Sequence, residues 1–231
     1  MKKLFFAALA AAMLIANPAL ATRRVCEAVL RGPAGEHVIQ ILMEDEQRVA
    51  GWAIWKPPLE GPQRALPGLH LHYRLTDLNT GARSPLLYAE VFHIARISDS
   101  RASTATVGIG PYGGEELERR DWTSFAQSRA RAERDDIDAL AGGTGFSSRQ
   151  VLDLVQTAPQ IRSAAITDRN EMISEGVWNL TTRVALDPLF ARAFSVASAH
   201  AENPRRHCRA PNYMDSPMIW DYERRTGASS E

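Results

Sequence analysis

Cysteine is scarce in this chain. Among 231 residues only Cys26 and Cys208 carry a thiol, and they form no Cys-x-x-Cys pair, which removes the zinc-ribbon and thioredoxin-type motifs. Neither sign of charge is in excess: 27 Lys and Arg face 27 Asp and Glu. The chain therefore lacks the basic surplus of a nucleic-acid binder or a polybasic membrane binder. Gly-x-Ser-x-Gly, Ser-x-x-Lys and His-Glu-x-x-His are absent, so no local hydrolase signature is present. A dispersed Ser, His and Asp triad is defined by geometry and stays open.

The most sustained apolar run is Leu4 to Ala16, preceded by Lys2-Lys3 and followed by Ala19-Leu20-Ala21. A basic start, a short apolar stretch and a small-residue site form a secretory signal peptide, here residues 1–21, with cleavage expected before Thr22. The run is too short for a membrane span, which takes about 20 apolar residues. Cys26 lies beyond the cleavage point, so a lipid anchor on it is not expected. No Arg pair precedes the run, which favours export of an unfolded chain. The expected location is periplasmic or secreted, with no membrane span after cleavage. In an oxidising compartment the two lone cysteines, Cys26 and Cys208, read as a disulfide.

The first half has the alternation of β-structure. Val25 to Leu30, His37 to Met43 and Val49 to Trp55 are separated by turn residues, and Leu69 to Thr76, Leu86 to Ile97 and Ser103 to Ile109 follow. Short connections imply antiparallel pairing. Between 56 and 68, Pro57, Pro58, Pro62 and Pro67 mark a surface loop. Glu115 to Phe146 is dense in charge, with i,i+4 pairs such as Glu115/Arg119 and Arg131/Asp135, and reads as a helical insertion or lid. Ser147-x-x-Gln150 opens a short helix, Ile161 to Thr167 and Gly176 to Ala185 read as strands, and Asp187-Pro188 opens a C-terminal helix. The expected fold is α+β: one domain over 22–222 with a β-rich, mostly antiparallel core, a sandwich or open barrel. The last residues, 223–231, are a polar tail.

Several residue groups carry candidate chemistry. His70-Leu71-His72 places two imidazoles on one face of a strand. They could ligate Zn²⁺ or Cu²⁺ with a third group from the Leu86–Ile97 strand, either His93 or Glu90 depending on register. The register is not legible, because that strand is apolar on both faces. The alternative is that His70, His72 and Arg74 form the wet face of an amphipathic strand. Trp52 and Trp55 point to opposite faces, so one is expected in the core; the other is either exposed beside the proline-rich loop, where it could stack on a ligand, or covered by loop or helix as well, as tryptophan mostly is.

Other signals read more simply as structure. Gly108-x-Gly110-x-x-Gly113 imitates a dinucleotide fingerprint, yet Glu115 and Glu116 would repel a pyrophosphate and no βαβ unit surrounds it. Asp168, Glu171 and Glu175 read as a solvated turn. His207, Met214 and Met218 are soft ligands by type, but packing explains them as well. The expectation is an exported, non-enzymatic accessory or binding protein of the cell envelope, taking a protein or small-molecule ligand. No cofactor is required, with Zn or Cu as the possible metals. The rival reading is a metal-binding protein or metal-dependent hydrolase built on His70, His72 and His93.

Overall fold

Two tight hairpins start the chain. In the computed structural model, β1 (Arg23–Gly32) pairs with β2 (Gly35–Glu44), and β2 with β3 (Gln47–Lys56). Both turns hold two residues between the strands. Gly35 closes the first at φ 94°, where a Cβ would lie 2.1 Å from the Lys56 carbonyl oxygen. Asp45 and Glu46 form the second with φ 48° and 67°, the left-handed pair that matches the twist of antiparallel strands. The structure describes residues 23–60, 67–97, 105–121, 123–132, 135–167, 170 and 172–211, with the backbone alone over 94–97, 123–132 and 135–143. The signal peptide expected at 1–21, the tail at 223–231, Asp168, Glu171, Met214 and Met218 fall outside these residues.

The strands form two antiparallel sheets. The first has the order β1-β2-β3-β5-β6-β10-β9, with β5 (Gly68–Arg74), β6 (Tyr88–Ile97), β9 (Thr123–Ala132) and β10 (Asp135–Phe146). The second runs β4-β12-β11-β7-β8, with β4 (Leu59–Glu60), β7 (Ala105–Pro111), β8 (Glu118–Asp121), β11 (Gln160–Thr167) and β12 (Met172–Asn179). Helix α1 (Arg149–Thr157) joins the sheets. A 3₁₀ turn (Thr181–Ala185) leads into α2 (Leu186–Ala201), and α3 (Pro204–His207) follows. The β-rich α+β expectation holds as two sheets around one core. No helix among the described residues is long and apolar enough to cross a membrane.

One apolar core joins both sheets and the helices. Ile39, Ile41, Trp55, Leu69, Leu71 and Val91 from the first sheet meet Val107, Ile109, Ile161 and Trp178 from the second. The buried stripe of α2, Phe190, Ala193, Phe194 and Ala197, recurs at helical spacing and lies on β1 and β2. The opposite face of the first sheet is buried too: Val25, Leu42, Ala50 and Trp52 form a smaller cluster there. That face is not the wet side expected of an amphipathic strand.

The charged segment departs from expectation. Among the described residues, the stretch expected to be a helical insertion carries β8, β9 and β10 and no helix. Its charges fit strand pairing as well as helical spacing, since the register sets Arg131 opposite Asp136 and Arg129 opposite Asp138. Gly142, Gly143 and Gly145 in β10 disfavour a helix outright. Two smaller shifts follow the same local logic. The second late strand ends at Asn179 and the 3₁₀ turn takes over. Helix α2 begins at Leu186, so Asp187 and Pro188 sit in its first turn rather than opening it.

Cys26 and Cys208 are bonded, with Cα atoms 4.4 Å apart. Around the bond, Val25 N–H donates to the Arg209 carbonyl at 2.8 Å, and Arg209 N–H donates back at 3.2 Å. Arg209 also pairs with Glu27 at 3.1 Å. A loop of this length constrains the unfolded chain by about 5 kcal/mol on the chain-entropy account. Replacing Cys208 by Ser is expected to lower unfolding free energy by about 2–5 kcal/mol. Urea titration with and without reductant checks this: reductant must weaken the native chain and leave Cys208→Ser unchanged.

Candidate metal centre

Strand alternation puts His70, His72 and Arg74 on the face of β5 opposite Leu69, Leu71 and Tyr73. The β5–β6 register then decides the third group. His70 stands opposite Glu90, and His72 opposite Tyr88. Glu90 Oε2 lies 3.1 Å from His72 Nε2 and 3.9 Å from His70 Nδ1, and one donor atom from each residue lies within 4.8 Å of the others. His72 and Glu90 are buried, while the His70 side chain keeps 26% exposure, so the cluster opens to solvent on the His70 side. The rings are held in place: Tyr88 stacks on His72 at 4.2 Å, and Phe92 meets His70 edge-on at 4.6 Å.

The surrounding charges form a row across the sheet. Arg31 faces Glu36, and Glu36 faces Lys56. Lys56 Nζ donates to Glu36 at 2.6 Å and Arg31 Nε donates to it at 2.5 Å. Burial works to raise the Glu36 carboxyl, but the Lys56 and Arg31 hydrogen bonds outweigh it and hold it below its ordinary range. The His70 imidazole is pushed well down by burial, with the charge of Lys56 and neighbouring His72 adding to the effect. It is neutral at pH 7, the form a metal requires.

Two imidazoles and one carboxylate suit Zn²⁺ or Cu²⁺ by donor type. Tetrahedral ligands at 2.0–2.1 Å from zinc are separated by about 3.3 Å. The His72–Glu90 separation already fits, and the His70–Glu90 separation needs to close by roughly half an ångström. One feature weakens the site. His72 Nδ1 is buried with no hydrogen-bond partner among the described residues, whereas a metal-bound imidazole usually donates from its second nitrogen to an oriented acceptor.

His93 is not in this cluster. It projects from the other face of β6 into the core, where Nδ1 lies 2.9 Å from Ser174 Oγ and Nε2 lies 3.0 Å from Ser163 Oγ. One ring nitrogen donates and the other accepts, and hydroxyls can satisfy both. The ring thus links the first sheet to β11 and β12 of the second. The reason is parity: His93 is three residues from Glu90, and odd separations on a strand lie on opposite faces.

Of the two readings of the tryptophans, the covered one is observed. Trp52 is 3% exposed and Trp55 is 1% exposed, so neither presents a stacking surface beside the 56–68 loop. Trp55 Nε1 donates to the Ala34 carbonyl at 2.7 Å in the core, and Trp52 packs in the cluster on the other face. Only the ends of that loop are described, and Leu59–Glu60 pairs with β12.

The glycine motif has a packing explanation. The segment after β7 folds back over it, and a Cβ on Gly108 would lie 2.0 Å from Glu116 Oε2. A Cβ on Gly110 would lie 2.6 Å from the Glu115 carbonyl. Strand β8 follows, not a helix. Glu175 pairs with Arg162, and His207 stacks on His200 at 5.4 Å.

No protein-family model matches the chain, nor does any curated protein or solved structure. The arrangement of side chains therefore carries the functional argument.

Burial lowers the His93 imidazole to about 4, against about 6.5 when unfolded. As pH falls, the unfolded chain takes up this proton first. The stability conferred is full above pH 6.5, is lost between 6.5 and 4, and changes no further below 4. Between pH 7 and 4.5 this group removes about 2 kcal/mol. Urea midpoints for the native chain and His93→Gln at both pH values are expected to show that much less pH sensitivity in the variant.

Proposed function

We propose that the chain is an exported, non-enzymatic binding protein of the cell envelope whose site takes a divalent transition metal, Zn²⁺ or Cu²⁺, on His70, His72 and Glu90. The observation that supports this is the convergence of those three donor atoms within 4.8 Å at one solvent-open place on the first sheet. The metal enters beside His70, the exposed member, and Glu90 gives up its hydrogen bond to His72 Nε2 to accept it. The binding role in the envelope rests on the leader-like start and on the Cys26–Cys208 bond. The pairing of Lys56 with Glu36 offsets part of the cationic charge that would oppose the metal.

A second reading uses the same residues. Three protein ligands leave a position for water, and zinc-bound water is a nucleophile at neutral pH. The partial exposure of His70 favours this hydrolytic variant, because a substrate could reach that position. Metal-dependent hydrolysis of an activated ester, lost in Glu90→Gln, separates it from plain binding.

The test is zinc titration of the untagged chain beginning at Thr22. One equivalent of Zn²⁺ is expected to bind, and at a hundred times the dissociation constant the melting temperature rises by about 5–10 °C. His72→Ala and Glu90→Gln are each expected to weaken binding on the order of a hundredfold. His70→Ala changes a partly exposed side chain, so it reports on the site without threatening the core. Absence of stoichiometric zinc, or zinc bound equally well by His70→Ala and Glu90→Gln, overturns the proposal.

A further inference from the structure

A groove on the other side of the first sheet has ligand features of its own. It lies between the segment joining β5 to β6 and the 3₁₀ turn that enters α2, and its volume is about 800 Å³. Pockets of about 300–1,000 Å³ are typical of small-molecule sites. Trp55, Tyr73 and Phe190 supply an aromatic wall, and Val184, 88% exposed, stands at the rim.

Two guanidinium groups line it. Arg83 lies 4.5 Å over the Phe190 ring and 4.9 Å over the Tyr73 ring, and its outer edge pairs with the exposed carboxylate of Asp187. Arg183 is oriented by two backbone acceptors: Nε donates to the Leu180 carbonyl at 2.8 Å, and Nη2 donates to the Ala158 carbonyl. Its remaining nitrogen, Nη1, is buried and has no partner among the described residues. A buried donor left unpaired costs about 1–3 kcal/mol. With Arg83, Arg183 and Asp187 lining the groove, its charge is one positive.

We propose that this groove binds a small organic monoanion with an apolar body. Its carboxylate accepts from Arg83, displacing Asp187, and is attracted by the charge of Arg183 beside it. Its apolar part rests against Phe190 and Val184. Charge-assisted hydrogen bonds to guanidinium favour planar oxyanions, and the aromatic wall excludes a hydrated inorganic ion as the preferred occupant. The site shares no residue with the metal cluster, so the two proposals stand or fall separately.

Benzoate is the probe, with benzamide as its neutral isostere and acetate as the anion without a ring. Isothermal titration of the mature chain without added metal gives the readout. Benzoate is expected to bind at least about tenfold more tightly than benzamide or acetate. Arg183→Gln is expected to reduce benzoate binding about tenfold. Because Arg183 also holds two carbonyls, Val184→Asp provides a second variant: the position is exposed, the fold is unaffected, and the added charge repels the anion by a similar factor. Equal binding of benzoate and benzamide, no binding of benzoate, or full benzoate affinity in Val184→Asp overturns the proposal.

Discussion

The pairing of β5 with β6 is the constraint on which the remainder hangs. It is the seam where the N-terminal hairpins meet the rest of the first sheet, and β6 then carries β10 on its far edge. Because successive residues alternate faces, a single register sets the destination of every polar group on β6. Glu90 goes to the face shared with His70 and His72, and His93 goes between the sheets. A slip of one residue would exchange them, leaving an uncompensated carboxylate in the core. The His70, His72 and Glu90 cluster and the link between the sheets are thus two faces of one alignment.

Through β2 and β3 the first sheet is buried on both sides, and this explains its unusual polar content. Apolar residues fill the side toward α2 and the second sheet. On the other side, buried Gln40 accepts burial because it donates to Glu27 at 2.8 Å, and His72 because Glu90 lies against it. His37, on the side toward α2, differs: among the described residues neither ring nitrogen has a partner, and the ring meets Phe190 edge-on at 5.6 Å. Burial lowers its imidazole, with Glu36 acting in the opposite direction, so it is accommodated as a neutral aromatic ring.

Much of this fold was legible because local patterns agreed with global packing. The alternation of β5, the turn residues of the first hairpins and the lone cysteine pair all led to what is observed. The third member of the histidine cluster was not legible. Leu86 to Ile97 is apolar on both faces because both faces of β6 are covered, and periodicity then carries no register. The segment from 115 to 146 was misread because a stretch dense in both signs of charge supplies i,i+4 pairs along a helix and, with other partners, facing pairs such as Arg131 and Asp136 across a hairpin. There the glycines of β10 were the better guide. The Arg183 side chain gave no sequence signal at all, as its importance comes from carbonyls at Leu180 and Ala158 that only the fold brings together.

The Cys26–Cys208 bond has a consequence for the order of events during synthesis. Cys26 lies in the first strand, and its partner is separated from it by 182 positions. During synthesis or vectorial emergence, the first thiol waits until nearly all of the chain has appeared. There is no other cysteine with which it could pair wrongly within the molecule. Both sheets and α2 can therefore assemble before the covalent link is made, so oxidation seals a topology already chosen. In the meantime the exposed Cys26 can pair only with a second copy or with a carrier thiol, which makes correct closure a matter of timing rather than of choice.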